Sequence, residues 1–577
     1  MNKIPKWFTG AKLNFTENLL RRNDEKVAVF STNEASIPRI SQVSFRELNT
    51  MVKKCAFALQ KIGVKAGDCV AAYSPNCLES LVMLLASAAI GAIFTSTSPD
   101  FGPAAVLERF QQTKPIVLFS TDTSTYNGKQ FEHIPKLEKV LCDLNSVRKV
   151  IILQSSSRNT WDIRNSESFE SFIDVKGYED FVYPQFSFDH PLYILYSSGT
   201  TGKPKCLVHS AGGTLIQHAK EHILHGNMSS DDVFFQYTST GWMMWPWMVS
   251  ALFVGSSIVL YDGSPLKPQP ESLWELINNI GVTIFGTSAK YIQHMEEISL
   301  KPKEKFSLDS LRAIYSTGSP LSDHSFDYVY SHIKGDLCLA SITGGTDIIS
   351  LFAGMNMSLP VYRGEIQCRC LGMSIEARDS SSHVIFDVPG ELVCVKPFPS
   401  MPVKFWNDES GERYFNSYFN GFEGVWTHGD FVCINSSTKG IRMLGRSDGT
   451  LNPAGVRFGS ADLYDVLTKI DWIDDSLAVG YKKETENDER VVLFLKLKET
   501  IQLDKEKVEQ VKVMIRNALS ARHVPAYIMA VPDIPYTVNG KKVEVAVKNI
   551  LAGKTVLNLA SLANPESLEF YKNVSFE

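Results

Sequence analysis

The stretch "PLYILYSSGTTGKPK", Pro191–Lys205, runs from an apolar strand pattern straight into glycines, hydroxyls and lysines. Glycines let backbone N–H groups approach an anion closely, hydroxyls add donors and lysines supply charge, so the loop suits a nucleotide phosphate. It is not the P-loop of nucleoside triphosphatases, G-x-x-x-x-G-K-[ST]. Gly199 and Gly202 have two residues between them rather than four, and Lys203 is followed by Pro204. Pro204 and Gly212-Gly213 also argue against a long helix starting at the loop, which a P-loop needs. A surface turn between strands is the plain alternative for G-T-T-G taken alone.

Outward from the loop, the pattern alternates between two periods. "SFRELNTMVKKCAFALQKIG" carries apolar residues at helical spacing and ends in glycine, and "DCVAAYSPN" reads as a strand running into a turn. "LVMLLASAAIGAIF", Leu81–Phe94, predicts a buried helix running into a strand, "PAAVLERFQQTK" a helix and "PIVLFSTD" a strand. Further strands are expected at "KVIILQ", "SSIVLYDG", "VTIFGTSA" and "RAIYSTGS". This rhythm implies an α/β fold with mainly parallel, helix-covered sheets, in which ligands collect at the carboxyl ends of strands. Short strands punctuated by Gly and Pro between about 360 and 445 suggest an antiparallel subdomain. After "GRSDGTLNPAG" the pattern restarts as a small α+β unit. The expected division is therefore a large N-terminal domain, 1–445, and a mobile C-terminal domain, 446–577, hinged near Asp448.

Bulk properties narrow the class. The chain has 577 residues, more than one core accommodates, and 44% hydrophobic with 21% charged residues is an ordinary globular composition. A net charge of −5 gives no basic surplus for nucleic acid. The apolar Leu81–Phe94 run is too short to span a bilayer, and "MNKIPKWFTGAKLN" lacks the apolar core of a secretory signal. Ten cysteines without a C-x-x-C pair suit a reducing, cytosolic setting better than a disulfide framework.

Six motifs then follow in order: "YSSGTTGKPK", "STGSPL" (316–321), "GGTD" (344–347), "WTHGD" (426–430), "GRSDGTLNPAGVR" (445–457) and "PYTVNGKK" (535–542). Singly each is a loop; together they resemble the adenylate-forming acyl-CoA synthetases over almost the whole chain. "WFTGAKLNFTENLL", "CLVHSAGGTLIQHAKEHILHGNM" and "NGKKVEVAVKNILAGK" narrow the resemblance to the acetoacetyl-CoA synthetase branch. Members of that branch usually carry a further segment before "WF", so this chain reads as a short or truncated form.

The resemblance implies ATP, CoA, Mg2+ and acetoacetate as the small molecules handled, with no nucleic acid or membrane partner, and a monomer is the favoured state. It assigns Ser197, Ser198, Gly199, Thr200, Thr201, Gly202 and Lys205 to the β- and γ-phosphates. Gly318, Ser319 and Pro320 form the expected adenine turn, with Gly345 also on the nucleotide. Thr346 would meet the α-phosphate and Asp347 the magnesium ion, with Asp standing where the superfamily more often has Glu. An Asp capping a helix begun by "IISLF" is the alternative. Asp430 would accept from the ribose hydroxyls; Arg446 and Arg457 match the ribose- and phosphate-contacting arginines. Lys541 is expected to bridge carboxylate and phosphate during adenylation, Asp448 to be the pivot, and Ala454 and Gly455 to meet CoA.

Acyl choice is assigned to Trp242, Met243, Met244 and Gly344. In acetate-specific relatives a tryptophan two residues before the motif threonine closes the pocket, so Gly344 predicts an open floor that admits acetoacetate. Gly344 could equally serve the backbone, and the aromatic cluster could be core. Propionate or another short-chain acid is the rival substrate. A silent adenylate-binding protein or a luciferase-like oxygenase are the readings from other classes.

Overall fold

The computed structural model describes residues 4–155, 161–197, 204–447, 451, 460–481, 490–518, 523–538, 540–556 and 559–576. Two large sheets organise the N-terminal part. The first has eight strands in the order Ser166–Ser168, Lys149–Leu153, Val117–Thr121, Cys69–Tyr73, Ile93–Thr97, Pro191–Ser197, Lys205–Ser210, Lys404–Phe405. Its pairings are parallel up to Pro191–Ser197 and antiparallel beyond. The second has seven: Cys338–Ser341, Ala313–Thr317, Ile284–Ser288, Val233–Gln236, Ser257–Asp262, Val27–Asn33, Ser41–Ser44. Only the last pair is antiparallel.

The core lies between these sheets. The Leu78–Ala89 helix is apolar nearly all round, and from Ser80 to Ala89 every residue is buried. It belongs to one continuous cluster with Phe94 of the first sheet and Phe234 and Ile258 of the second. A helix hydrophobic on all faces can only be interior. Beside it, the Phe45–Lys61 helix starts at a reciprocal cap: Ser44 Oγ accepts from Glu47 N at 3.2 Å, and Ser44 N donates to the Glu47 carboxylate at 2.8 Å. That box fixes where the helix begins and so which face it turns to the core.

The expected antiparallel region is a four-stranded sheet, Ile375–Arg378, Gly390–Cys394, Trp426–Ile434, Ile441–Arg446. Beyond it, Ile473–Tyr481, Arg490–Leu497 and Tyr527–Val531 form a separate three-stranded sheet with a core on each face. Helices Ser460–Leu467 and Lys505–Ala518 cover one face, and Glu544–Leu551 with Leu568–Lys572 the other. Among the described residues no helix is long and apolar enough to cross a membrane.

Two features of the opening stretch emerge only in three dimensions. The segment after the loop is a strand, Lys205–Ser210, returning antiparallel to Pro191–Ser197, so the loop joins a hairpin rather than a strand and helix. Gly212 and Gly213 then lie inside the Ala211–Ala219 helix, capped by Ser210. A Cβ on Gly212 would fall 2.3 Å from the Phe188 ring, and one on Gly213 2.2 Å from Pro399 O. The glycines are there for close packing, not to break the helix.

Candidate active site

The ends of three structural units converge on Asp347. Ser197, last residue of its strand, donates from Oγ to Asp347 Oδ2 at 3.5 Å. Tyr418, at the end of the Glu412–Tyr418 helix, donates from its hydroxyl to Asp347 Oδ1. Its ring stacks on Trp426 with centroids 3.7 Å apart and planes 13° from parallel. Lys205, at the return of the hairpin, holds its ammonium 5.6 Å from the centre of the same tyrosine ring. The result is a carboxylate framed by hydroxyls and a cation at the carboxyl end of the first sheet, where phosphate binding is expected in α/β folds.

Thr346 and Asp347 sit at the tip of a second hairpin, between Thr343–Gly345 and Ser350–Gly354. Because Ser350–Gly354 is a strand, Asp347 caps no helix there. Two buried histidines brace the tip. His209 Nε2–H donates to Thr346 O at 2.9 Å, and His218 Nε2–H donates to Ile349 O at 2.5 Å. Ile349 has φ +45°, a strained conformation for a β-branched residue that persists only where surroundings enforce it. Burial pushes the His209 imidazole down to about 3, so it stays neutral and keeps one N–H for that carbonyl.

Behind the hairpin lies a buried carboxylate, Glu221. It accepts from Ser350 Oγ at 2.5 Å, Leu351 N at 3.1 Å and Trp247 Nε1 at 2.7 Å, with Lys220 Nζ at 3.2 Å. Burial alone would push the Glu221 carboxyl up, but Lys220, His218 and these donors outweigh that and hold it below the usual carboxylate range. Glu221 thus ties the hairpin bearing Thr346–Asp347 to the helix bearing Trp247.

The "HGD" motif is a bulge. Glu391 pairs with Phe431 and Val393 with Thr427, so His428, Gly429 and Asp430 bow out of the Trp426–Ile434 strand. Gly429, at φ +82°, donates from its N–H to Glu391 Oε1 at 3.1 Å. Bulges of this kind re-aim side chains near sites. Here it brings Asp430 to 3.5 Å from His428 Nε2, which in turn lies 3.9 Å from where a Cβ on Gly345 would stand. Gly318, at φ +90° in the turn containing Ser319 and Pro320, approaches the partly buried Trp242: a Cβ there would be 3.9 Å from the indole.

These contacts bring together Ser197, Lys205, Gly345, Thr346, Asp347 and Asp430, and pair Gly318 with Trp242. Met243 and Met244 are buried, while Trp245 and Trp247 are core residues whose N–H groups bond Asn76 and Glu221. Lys541 is exposed on a turn where Thr537 N donates to Lys541 O at 2.8 Å. Val538 of that turn packs on the cluster of Phe101 and Phe110 that also carries Tyr196, the residue before Ser197. Ser198, Gly199, Thr200, Thr201, Gly202, Asp448, Ala454, Gly455 and Arg457 lie outside the described residues, as does the Arg446 side chain; the Arg446 backbone pairs with Asp430.

Gly344 requires a correction. A Cβ at 344 would stand 2.0 Å from Ser350 O and 2.8 Å from Leu351 Cα, so it points into the paired strand and not into an open cavity. Glycine is there because two backbones of the hairpin touch. Tyr418, His209, His218 and Glu221 were missed by the sequence reading, since they lie 71 to 137 positions from the residues they serve and no local spacing marks them.

A family model described as AMP-binding enzyme matches residues 15–398. Acetoacetyl-CoA synthetase of Gallus gallus is 51% identical over 580 residues, covering 99% of this chain and 86% of that protein. The solved acetoacetyl-CoA synthetase from Streptomyces lividans superposes with a TM-score of 0.93 at 40% identity, over 98% of this chain and 87% of that one. An anthranilate CoA ligase solved with anthranoyl-AMP shares the fold at a TM-score of 0.78 and 18% identity, over 94% of this chain and 98% of that one. The chain is a member of the AMP-binding enzyme family and belongs, within it, with the acetoacetyl-CoA synthetases.

Proposed function

We propose that the chain is an ATP-dependent acetoacetate–CoA ligase: acetoacetate, ATP and CoA become acetoacetyl-CoA, AMP and pyrophosphate. The observation that carries this is the full-length likeness to acetoacetyl-CoA synthetases, met at the site by a phosphate-type loop whose last strand residue touches Asp347. In the first step the acid's carboxylate oxygen attacks the α-phosphorus of ATP, the bond to the β-phosphate oxygen breaks, and pyrophosphate leaves. In the second the CoA sulfur attacks the acyl carbon and AMP leaves with the carboxyl oxygen it gained.

The residues divide the work. Ser197, Lys205 and the loop between them neutralise the β- and γ-phosphates as charge passes to pyrophosphate. Thr346 donates to the α-phosphate from a hairpin that His209, His218 and Glu221 hold still, and preorganised donors of this kind cost no rearrangement at the moment of reaction. Gly318–Pro320 receives adenine and Asp430 the ribose. Lys541 bridges carboxylate and phosphate. The 446–577 unit turns about Asp448 to bring Ala454–Gly455 to CoA, with Arg446 and Arg457 on the nucleotide. The Asp347 carboxylate with the Ser197 and Tyr418 hydroxyls beside it fits magnesium, which takes one or two carboxylates and completes its shell with phosphates and waters. When bound there, the ion would offset phosphate charge.

The test is product analysis with acetoacetate, ATP, magnesium and CoA. One AMP per acetoacetyl-CoA is expected; ADP in place of AMP, or no thioester, overturns the reading. Soluble expression in a reducing cytosol and a monomer by light scattering are expected alongside.

A further inference from the structure

Gln236 closes the Val233–Gln236 strand and is fully buried. Its face of the sheet is otherwise mainly aliphatic and aromatic. Phe234 packs on Trp247 with ring centroids 5.5 Å apart, and Met244 joins the same core. The amide lies over Gly286 of the adjoining strand, where a Cβ would come within 1.9 Å of Gln236 Oε1. Any side chain at 286 would therefore evict it. Yet the amide gains little from the protein. Nε2 donates to the adjacent Tyr237 O at 3.4 Å, and Oε1 has no partner among the described residues. Leaving a buried polar group unpaired destabilises a fold, a loss that methionine or leucine would avoid.

Position suggests what the amide is for. The chain leads from Gln236 through Thr240 to Trp242 and Met244, assigned above to the acyl group. The helix starting at Met244 packs on this strand. Gly286, over which the amide lies, pairs with Tyr315 on the strand that ends in the Thr317–Gly318 turn touching Trp242. The amide is thus a buried polar group beside the acyl segment.

We infer that Gln236 determines specificity by donating an N–H to the second oxygen of the acid, the ketone of a β-oxo acid. This rests on the acetoacetate ligase reading and deepens it. A ketone oxygen only accepts, so the amide serves it with its NH2 group, an orientation reached by a half turn of the terminal torsion. Butyrate has the same four carbons without that oxygen and leaves the amide unpaired. Sites built to bond a polar substrate group reject analogues lacking it far more strongly than apolar pockets reject a methylene.

The test compares wild type with Gln236→Leu and Gln236→Met, the unbranched second variant carrying the comparison should leucine not fold. For each, kcat/KM for acetoacetate and for butyrate is measured, together with KM for ATP and thermal stability. The expected result is a fall of at least about tenfold in the acetoacetate-to-butyrate ratio, with KM for ATP and stability preserved. Equal losses on both acids, or an unchanged ratio, overturn the assignment, because a merely structural amide cannot tell the acids apart. A wild-type chain that activates neither acid overturns the ligase reading itself, and this inference with it.

Discussion

Adding one methyl group at Gly344 separates a backbone role from a pocket role. In Gly344→Ala the new Cβ would meet Ser350 O at 2.0 Å and the Leu351 Cα at 2.8 Å, where ordinary contact begins at 3.4 Å. The paired strand must then retreat by roughly 1.4 Å, and both clashing groups are backbone, so no side chain can rotate away. Overpacking of this kind costs about 1–3 kcal/mol. The retreat moves Ser350 and Leu351, two of the groups bound to Glu221, and with them the tip carrying Thr346 and Asp347. A displacement of about 1 Å at a positioned group can cost on the order of 10²-fold in rate. The expected outcome is a lower melting temperature and a 10- to 100-fold fall, by that same rough scale, in kcat/KM for acetoacetate and butyrate alike. The assay is AMP release with each acid beside thermal unfolding. A stable Gly344→Ala enzyme whose acetoacetate-to-butyrate ratio shifts tenfold would refute the reasoning and restore Gly344 to the pocket.

Other outcomes follow from the same geometry. Lys541→Ala should lower acid-dependent adenylation by about 10²–10³-fold while sparing thioester formation from supplied acyl-adenylate; equal loss of both would remove the lysine from its role. Glu221→Gln replaces an acceptor facing three donors with a group that donates itself, and should cost roughly 3 kcal/mol, read in the unfolding midpoint; an unchanged midpoint would mean the network adapts freely. Stability should also depend on pH through histidines that burial keeps neutral: His209 and His133 are pushed down to about 3 and His222 to about 4. Below about 6.5 the unfolded chain takes protons these native histidines refuse, so stability is complete above that pH and lost on acidification, by about 1.4 kcal/mol per pH unit for each. A melting temperature that stays flat from pH 7 to 5 would contradict this.

Much of the fold was legible because local chemistry and burial agree. "DCVAAY" and "RAIYSTGS" read as interior strands since both faces of each sheet are covered, and the Ser44–Glu47 cap marks its helix in four letters. Gly212–Gly213 misled in tone because what demands them is Phe188 and Pro399, contacts no window of sequence contains. Gly344 shows the same limit at the site: a missing side chain reads as space, whereas here a strand fills it. Motif order singled out Asp347 and Asp430, but the tyrosine on one and the bulge that presents the other arise from long-range pairing. Polar residues buried far from any motif, Glu221 and Gln236 among them, become visible only when their partners, or the lack of one, can be inspected.

On the proposed mechanism this chain forms an acyl-adenylate from acetoacetate before CoA is engaged. Isotope exchange between pyrophosphate and ATP, measured without CoA across acetate, propionate, butyrate and acetoacetate, tests it directly. The expected exchange requires an acid, proceeds in the absence of CoA, and has its highest kcat/KM with acetoacetate. Exchange that needs CoA, or that runs faster with propionate or acetate, would contradict it.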